Sequence, residues 1–193
     1  AGIPVFIDKP LTLDLNELQT FTPYIESGLL MSCSGFRYCA ELDSWRSEYS
    51  RFGNVRLIQA SVVNDWNKYG IHMVDAILSL ADHYPISVEA VGCKLHESLS
   101  ITMSDGSLCQ INAMGPDISV FSLSIFGDND IETVKISDNF TAFKRTLFHF
   151  IEQVKTGKPS IKPSQTLLSI NTMIAGRMAL DSGDRVTIKS VER

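Results

Sequence analysis

Two side chains have the types and settings needed to exchange a proton with a substrate oxygen. Lys9 follows a short apolar segment, residues 3–7, and precedes Pro10. Functional groups in α/β proteins often follow strands, and a partly desolvated lysine has a lowered pKa that suits proton exchange. His72 begins a predicted helix, where a neutral imidazole could exchange a proton near neutral pH. The alternatives are an ordinary turn lysine and a locally hydrogen-bonded histidine.

Two further residues could support such a site. Asp75 comes three residues after His72 on the same side of the helix, so we expect it to orient the imidazole ring. Arg37 follows a predicted strand and could bind a substrate carboxylate, phosphate or hydroxyl pair, although a surface ion pair is the alternative. The other three histidines have no companions at metal-ligand spacing, and we predict no metal site.

Composition narrows the class of protein. The 193 residues carry a formal net charge of −5, with 44% hydrophobic and 20% charged residues, which is typical of a globular protein. Basic clusters are absent, so we expect no nucleic-acid partner. The apolar runs are too short to span a membrane and no leader opens the sequence, so we expect a cytoplasmic protein. Four cysteines without a C-x-x-C pair predict buried thiols, with a Cys93–Cys109 disulfide as the alternative.

Hydrophobic periodicity predicts alternating strands and helices in the first part of the chain. A helix capped by Asp14 and Glu17 ends near Gly28. We predict two further helices over 40–50 and 69–82, and strands over 3–7, 30–34 and 55–63.

The period then changes to two, and two helices follow. Strands are predicted over 86–95, 98–103, 107–114, 119–126 and 131–136, with a hairpin turn at Asp105-Gly106. The first helix begins after Asp138, ends at Gly157 and has an apolar stripe of Phe140, Phe143, Leu147, Phe150, Ile151 and Val154. The second has a stripe of Leu167, Ile170, Ile174 and Met178, and a strand over 186–188 could rejoin the sheet. This order favours an α+β fold, an open, predominantly antiparallel sheet with helices packed on one face.

Five segments, in the right order, resemble the Gfo/Idh/MocA oxidoreductases, the family of glucose–fructose oxidoreductase and inositol dehydrogenase. G-I-P-V-F-I-D-K-P-L at 2–11 is similar to the family's G-x-x-V-x-x-E-K-P-L, and G-I-H-M-V-D at 70–75 to its G-x-H-x-x-D. The remaining segments are F-R-Y at 36–38, F-I-E-Q-V-K-T-G-K-P at 150–159 and A-G-R-M-A-L-D-S-G-D-R-V at 175–186.

The resemblance implies a two-domain, NAD(P)-dependent oxidoreductase acting on a sugar, polyol or related hydroxy compound. Residues 1–10 would be the tail of an N-terminal Rossmann domain, and 11–193 a substrate and oligomerisation domain like that of glyceraldehyde-3-phosphate dehydrogenase. The chain lacks a G-x-G-x-x-G or Walker loop, so we expect it to bind no dinucleotide tightly and to be inactive alone.

The resemblance also implies roles for individual residues. Lys9 would contact the substrate hydroxyl near the nicotinamide, and Pro10 would shape the turn there, with a cis peptide as one form. His72 would accept the hydroxyl proton while hydride leaves for the cofactor. Arg37, Lys68, Tyr69 and Asp75 would contact the substrate.

Two departures from the family pattern leave alternatives open. Asp8 stands where the family has glutamate, and Lys68 stands where it commonly has aspartate, four residues before His72. Either Lys68 faces an anionic substrate, or the site is rearranged, or catalysis is lost. The alternative function is therefore a non-catalytic binding or assembly module on the same fold.

An oligomer is expected from the predicted sheet. A bare face on an open sheet would leave a large apolar patch, which a second subunit would cover. We expect a homodimer or homotetramer formed through that face.

Overall fold

The structure is a computed structural model that describes residues 2–80, 83–92 and 94–188. The first part of the chain forms β1 (Val5–Phe6), α1 (Leu15–Glu26), β2 (Leu30–Met31), α2 (Asp43–Ser47), β3 (Val55–Val62) and α3 (Ile71–Leu78). The second part forms β4 (Pro85–Val91), β5 (Glu97–Met103), β6 (Leu108–Ala113), β7 (Phe121–Gly127), β8 (Ile131–Ile136), α4 (Asn139–Thr156), α5 (Pro163–Ser182) and β9 (Val186–Thr187).

A mixed, mostly antiparallel sheet of seven strands dominates the fold, in the order β8-β7-β3-β6-β5-β4-β9. The β3–β6 pair is parallel, and the remaining pairs are antiparallel. The predicted turn at Asp105-Gly106 joins β5 to β6, and Gly106 has a φ of 86°, a conformation that favours glycine. The predicted α+β class and the return of β9 to the sheet are confirmed.

One face of the sheet forms the main core. Alternate residues of β3, namely Ile58, Ala60 and Val62, are buried there. They share an apolar cluster with Leu99, Ile111, Leu123 and Ile125 from neighbouring strands and with α3 and α5. The prediction of helices packed on one face is thus confirmed.

The opposite face of the sheet is mainly polar. On β3, Gln59 and Ser61 point away from the buried positions, and their register partners are Ser122, Ser124, Gln110 and Asn112. Side chains on this face form hydrogen bonds between strands, as in the 2.6 Å contact between the Ser61 and Ser122 hydroxyls. An apolar row, containing Leu57, Leu108 and Phe126, crosses this face. The expectation of a large apolar patch is therefore wrong, because serine and amide side chains occupy most alternate positions.

Strands β1 and β2 lie outside the large sheet. They pair in parallel, with Val5 beside Leu30 and Phe6 beside Met31, and α1 connects them. Their apolar cluster includes Leu18, Ile25 and Leu30 and packs on Leu167, Ile170 and Ile174 of α5. Asp14 caps α1 as predicted, since its carboxylate accepts from the backbone N–H groups of Asn16 and Glu17. Strands β1 and β2 and helix α1 thus form a β-α-β unit that packs on α5.

Helix α4 corrects the sequence-based assignment of its buried face. Five members of the predicted apolar stripe are 38–78% exposed: Phe140, Phe143, Leu147, Ile151 and Val154. The buried residues are instead Ala142, Thr146 and Gln153. Gly35 lies against this face, where a Cβ atom would come 3.4 Å from the Phe143 backbone nitrogen. The small side chains of α4 permit this close approach.

Several predicted boundaries also change. The helix predicted over 40–50 is divided into 3₁₀ turns, Ala40–Leu42 and Tyr49–Phe52, on either side of the short α2. The helix predicted over 69–82 begins within a π-helical turn, Trp66–Gly70, and its α-helical part runs over Ile71–Leu78. Asp82 and Cys93 lie outside the described residues, and Cys109 is a free buried thiol.

Candidate active site

A cavity of about 400 Å³ lies where several elements meet. The segment after β1 contributes Lys9, the turn before α3 contributes Tyr69, and α3 contributes His72. The remaining lining residues are Asp8, Gly35, Phe36, Val63, Phe121, Asn139, Ala142 and Phe143. Lys9, Tyr69 and His72, which the sequence singled out, therefore share one cavity.

Lys9 is held by a carbonyl and an aromatic ring. Its Nζ atom donates to the backbone oxygen of Lys68 at 3.1 Å and lies 4.9 Å from the centre of the Tyr69 ring. Burial lowers the pKa of Lys9, and the negative charge of Asp8 partly opposes that shift. The Lys9–Pro10 peptide is cis, the form the resemblance allowed.

The π-helical turn before α3 determines what Lys68 contributes. Asp65 caps the turn, because its carboxylate accepts from the Lys68 N–H at 3.0 Å. The Lys68 side chain is exposed and does not line the cavity, so only its carbonyl oxygen reaches Lys9. The structure therefore brings the backbone of residue 68, and not its ammonium group, to the site.

A buried indole fixes this turn in place. Trp66 is fully buried, and its Nε1 donates to the Met173 oxygen of α5 at 2.9 Å. Gly70 and Gly176 both lie against its ring, where a Cβ atom at either position would come 2.5 Å from ring carbons. These glycines permit the packing that directs Tyr69 and His72 into the cavity.

The His72 ring is surrounded by aromatic rings. Its centre lies 4.6 Å from that of Phe36 and 5.6 Å from those of Tyr69 and Phe121. Burial, with a smaller contribution from the positive charge of Lys9, lowers the pKa of His72 to about 3. The ring is therefore neutral at pH 7.

Ser34 orients this ring, which corrects the role expected for Asp75. The Ser34 hydroxyl lies 2.7 Å from His72 Nδ1, and the Ser34 backbone N–H donates to Asp75 Oδ2 at 2.6 Å. Asp75 thus acts on the histidine through Ser34 and does not bond to the ring itself. Sequence reasoning missed Ser34, because the two residues are 38 positions apart and no local pattern links them.

Arg37 and Asp75 form a buried ion pair behind the cavity. They are 6% and 2% exposed, and Arg37 Nη1 lies 3.5 Å from Asp75 Oδ1. The Ser169 hydroxyl donates to the same carboxylate oxygen at 2.6 Å, and Arg37 Nη2 donates to Gln165. Burial raises the pKa of Asp75, while Arg37 and these hydrogen bonds oppose the shift. Neither residue lines the cavity that contains Lys9 and His72.

The aromatic walls are the other feature that sequence reasoning missed. In the sequence, Phe36 is a neighbour of Arg37, Phe121 lies in a predicted strand, and Phe143 belongs to a predicted apolar stripe. The three converge here from separate elements. A pattern of polar and apolar residues indicates which side of a strand or helix is apolar, but not which elements pack together. Phe36 and Phe121 are 85 residues apart in the sequence, and their ring centres lie 4.8 Å apart.

The arrangement is suited to chemistry at a substrate oxygen. An amine and a neutral imidazole line one cavity with the aromatic side chains of Phe36, Tyr69, Phe121 and Phe143. Partial burial of the two groups strengthens their interaction with a developing charge. Within the described ranges, no group of three or more His, Cys, Asp or Glu side chains could hold a metal ion. No helix in the described part of the chain is long and apolar enough to cross a membrane.

Solved structures similar to this chain include dehydrogenases. The chain is 16% identical to myo-inositol 2-dehydrogenase from Lactobacillus plantarum, with a TM-score of 0.83 over 97% of this chain and 74% of that one. It is 13% identical to the myo-inositol dehydrogenase of Lactobacillus casei in complex with NAD(H) and myo-inositol, with a TM-score of 0.83 over 98% and 72%. It is 15% identical to the scyllo-inositol dehydrogenase of that species with bound NAD(H) and scyllo-inositol, with a TM-score of 0.76 over 96% and 73%.

These neighbours are inositol dehydrogenases of the Gfo/Idh/MocA family, as the sequence resemblance implied, and the predicted fold is confirmed by them. No protein-family model matches the sequence. No curated protein matches it either.

Proposed function

We propose that this chain is the substrate-binding and oligomerisation domain of an NAD(P)-dependent oxidoreductase of the Gfo/Idh/MocA family. Its substrate is a sugar, a polyol or a related hydroxy compound. The observation that carries the proposal is the convergence of Lys9, Tyr69 and His72 in one cavity. The shared fold with dehydrogenases that bind NAD(H) and inositols supports it.

The residues of the cavity fit an oxidation of a CH–OH group. When bound, the nicotinamide supplies the acceptor for the hydride that leaves carbon. Lys9 and His72 hold the substrate oxygen between them, steady its developing negative charge and take its proton. Tyr69 and the phenylalanines form a water-excluding wall around the reacting atoms.

Cofactor binding needs a second domain in this proposal. Residues 1–10 would connect to that dinucleotide-binding domain, and Lys9, which lines the cavity, and Pro10 would contact the cofactor. The described part of the chain supplies no phosphate loop, so the 193 residues alone are inactive. Arg37 and Asp75 support the substrate site through Ser34, and the Lys68 carbonyl supports it through Lys9.

Substitutions in the full-length protein test the roles of the pair. Lys9→Ala and His72→Ala should each lower kcat/KM by about 10²-fold or more, since each removes a group that acts on the reacting oxygen. Lys155→Ala, which removes an exposed lysine on α4, is the matched control and should leave kcat/KM unchanged. Near wild-type turnover in both site variants would show that Lys9 and His72 do not carry the reaction.

A further inference from the structure

The Ser34 hydroxyl has a restricted set of partners. Ser34 is completely buried, and its Oγ accepts from the Phe36 backbone N–H at 3.1 Å. Its other partner is His72 Nδ1 at 2.7 Å. The part of the chain that the structure describes offers this hydroxyl no further hydrogen bond. The proton of the hydroxyl therefore has one acceptor, the lone pair of Nδ1.

The two hydrogen bonds of the Ser34 hydroxyl determine the tautomer of His72. If Ser34 Oγ–H donates to Nδ1, the neutral ring carries its own proton on Nε2. The opposite tautomer would direct Nδ1–H at Ser34 and leave the serine proton without an acceptor. A buried donor without a partner is costly, so the Nε2–H form is favoured.

The backbone strengthens this arrangement. The Ser34 N–H is fixed on Asp75, which also accepts from Ser169 and faces Arg37. The backbone of Ser34 is thus held in place by Asp75. Rotation of its side chain away from His72 would break the hydrogen bonds of Oγ with Phe36 and His72. The charged residues Asp8 and Lys9 line the cavity with His72, and the Arg37–Asp75 pair lies behind Ser34.

We propose that His72 acts on the substrate oxygen as a neutral hydrogen-bond donor from Nε2, fixed by Ser34, and that Lys9 exchanges the proton. This assignment rests on the proposed function and divides the work of the pair. Ser34 is then a positioning residue, because it acts through His72.

The proton balance favours this division. In alcohol oxidation the C–H bond breaks, and its hydrogen leaves with both electrons as hydride for the oxidised nicotinamide. Lys9 first loses a proton to solvent, a loss that burial favours because it lowers the pKa of this amine. The amine then takes the O–H proton and becomes an ammonium again, while the Nε2–H of His72 stabilises the oxygen. In carbonyl reduction Lys9 returns that proton. A neutral Nε2–H imidazole could give up a proton only by becoming an imidazolate, whereas the lowered pKa of Lys9 assists its exchange.

Nitrogen NMR of the chain labelled with ¹⁵N-histidine tests the tautomer directly. A protonated and an unprotonated ring nitrogen have well-separated shifts, and His72→Gln assigns the signals. At pH 7 we expect the Nδ1 of His72 to be unprotonated and Nε2 to carry the proton. Ser34→Ala should give a mixture of tautomers, and Ser34→Thr should restore the single form. A protonated Nδ1 in the wild type would overturn the proposal.

Kinetics of the full-length protein test the division of roles. His72→Gln keeps an N–H donor but cannot exchange a proton, so it should retain kcat within about tenfold of wild type, while His72→Ala loses about 10²-fold. Lys9→Gln should lose at least as much as His72→Ala. If His72→Gln is as inactive as His72→Ala, the donor role is wrong. Absence of turnover in the wild type would instead contradict the proposed function. The NMR measurement would still show which tautomer His72 adopts.

Discussion

The environment of His72 makes its charge state depend on folding. The aromatic rings around it and the positive charge of Lys9 lower its folded pKa to about 3, whereas the unfolded chain has a value near 6.5. Because the unfolded state binds the proton more readily, stability from this group is fully present above about pH 6.5 and is lost as the pH falls toward 3. The burial that keeps the His72 ring neutral therefore also lowers the stability of the folded protein in acid.

This linkage predicts a pH-dependent difference between two variants. The free energy of unfolding of the wild type, measured with urea, should fall between pH 7 and pH 4.5 more steeply than that of His72→Gln. The glutamine lacks the titrating ring, so the slope of the variant reflects only the other histidines and the carboxylates, which both proteins share. Equal slopes for the two proteins would show that the pKa of His72 is not lowered on folding.

Residue types and the resemblance to a known family together identify part of the site from the sequence. Lys9 and His72 are identifiable because amines and imidazoles exchange protons, and because both lie in segments that resemble a known family. Ser34 has no such signal, since a serine after a strand is common and its partner lies in a distant helix. The carbonyl of Lys68 could not be foreseen either, because every residue has one and only the π-helical turn directs this one at Lys9.

At the scale of elements, α4 shows that an apolar stripe does not identify the side that packs. Gln153 on the buried face donates to the Gly28 oxygen at 2.9 Å and accepts from the Ser160 N–H at 3.1 Å. Ala142 and Thr146 lie beside Gly35. Hydrogen bonds and close backbone approach, rather than bulk, position this helix against the cavity.

Substitutions on the two sides of α4 should therefore have contrasting effects. Gln153→Leu should lower the free energy of unfolding by about 1–3 kcal/mol, because it leaves a buried carbonyl and N–H unpaired. Ile151→Ser, on the exposed side, should change it by no more than about 0.5 kcal/mol. Urea unfolding at one pH measures both. A larger loss for Ile151→Ser than for Gln153→Leu would contradict the observed orientation of the helix.

Regular elements of the sheet were the most predictable part of the fold. The alternation of apolar and polar residues over 58–62 of β3 and the turn at Asp105-Gly106 follow from local chemistry, and both appear in the structure. The strand order was not accessible from these patterns, because the parallel pairing of β3 with β6 joins segments that are 51 residues apart at Leu57 and Leu108.

At the scale of the whole molecule, the polar face of the sheet bears on assembly. Its hydroxyl and amide side chains largely satisfy one another, as in the pair formed by Ser98 and Asn112 at 2.8 Å. The apolar row that includes Leu57, Leu108 and Phe126 supplies the hydrophobic surface. We propose that the full-length protein forms a homodimer or homotetramer through this face.

Placing a charge in that row tests the proposed assembly. Leu108 is 43% exposed. The substitution Leu108→Glu should convert the oligomer to monomers, because the new carboxylate would be buried in the interface without a partner. Leu147→Glu, at a site on α4 that is 38% exposed, is the matched control and should leave the mass unchanged. Light scattering of the full-length protein reports the mass. A monomeric wild type, or an oligomer that survives Leu108→Glu, would rule out the sheet face.

The central claim is that this cavity serves hydride transfer between a substrate carbon and a nicotinamide. The most direct measurement incubates the full-length protein with NAD⁺ or NADP⁺ and a panel of carbon-deuterated polyols and sugars, myo- and scyllo-inositol included, and follows deuterium by mass spectrometry. We expect deuterium to appear in the reduced cofactor with at least one compound, and its rate of appearance to fall about 10²-fold in Lys9→Ala. Absence of transfer to either cofactor across the panel, or transfer that is unaffected in Lys9→Ala, would contradict the account.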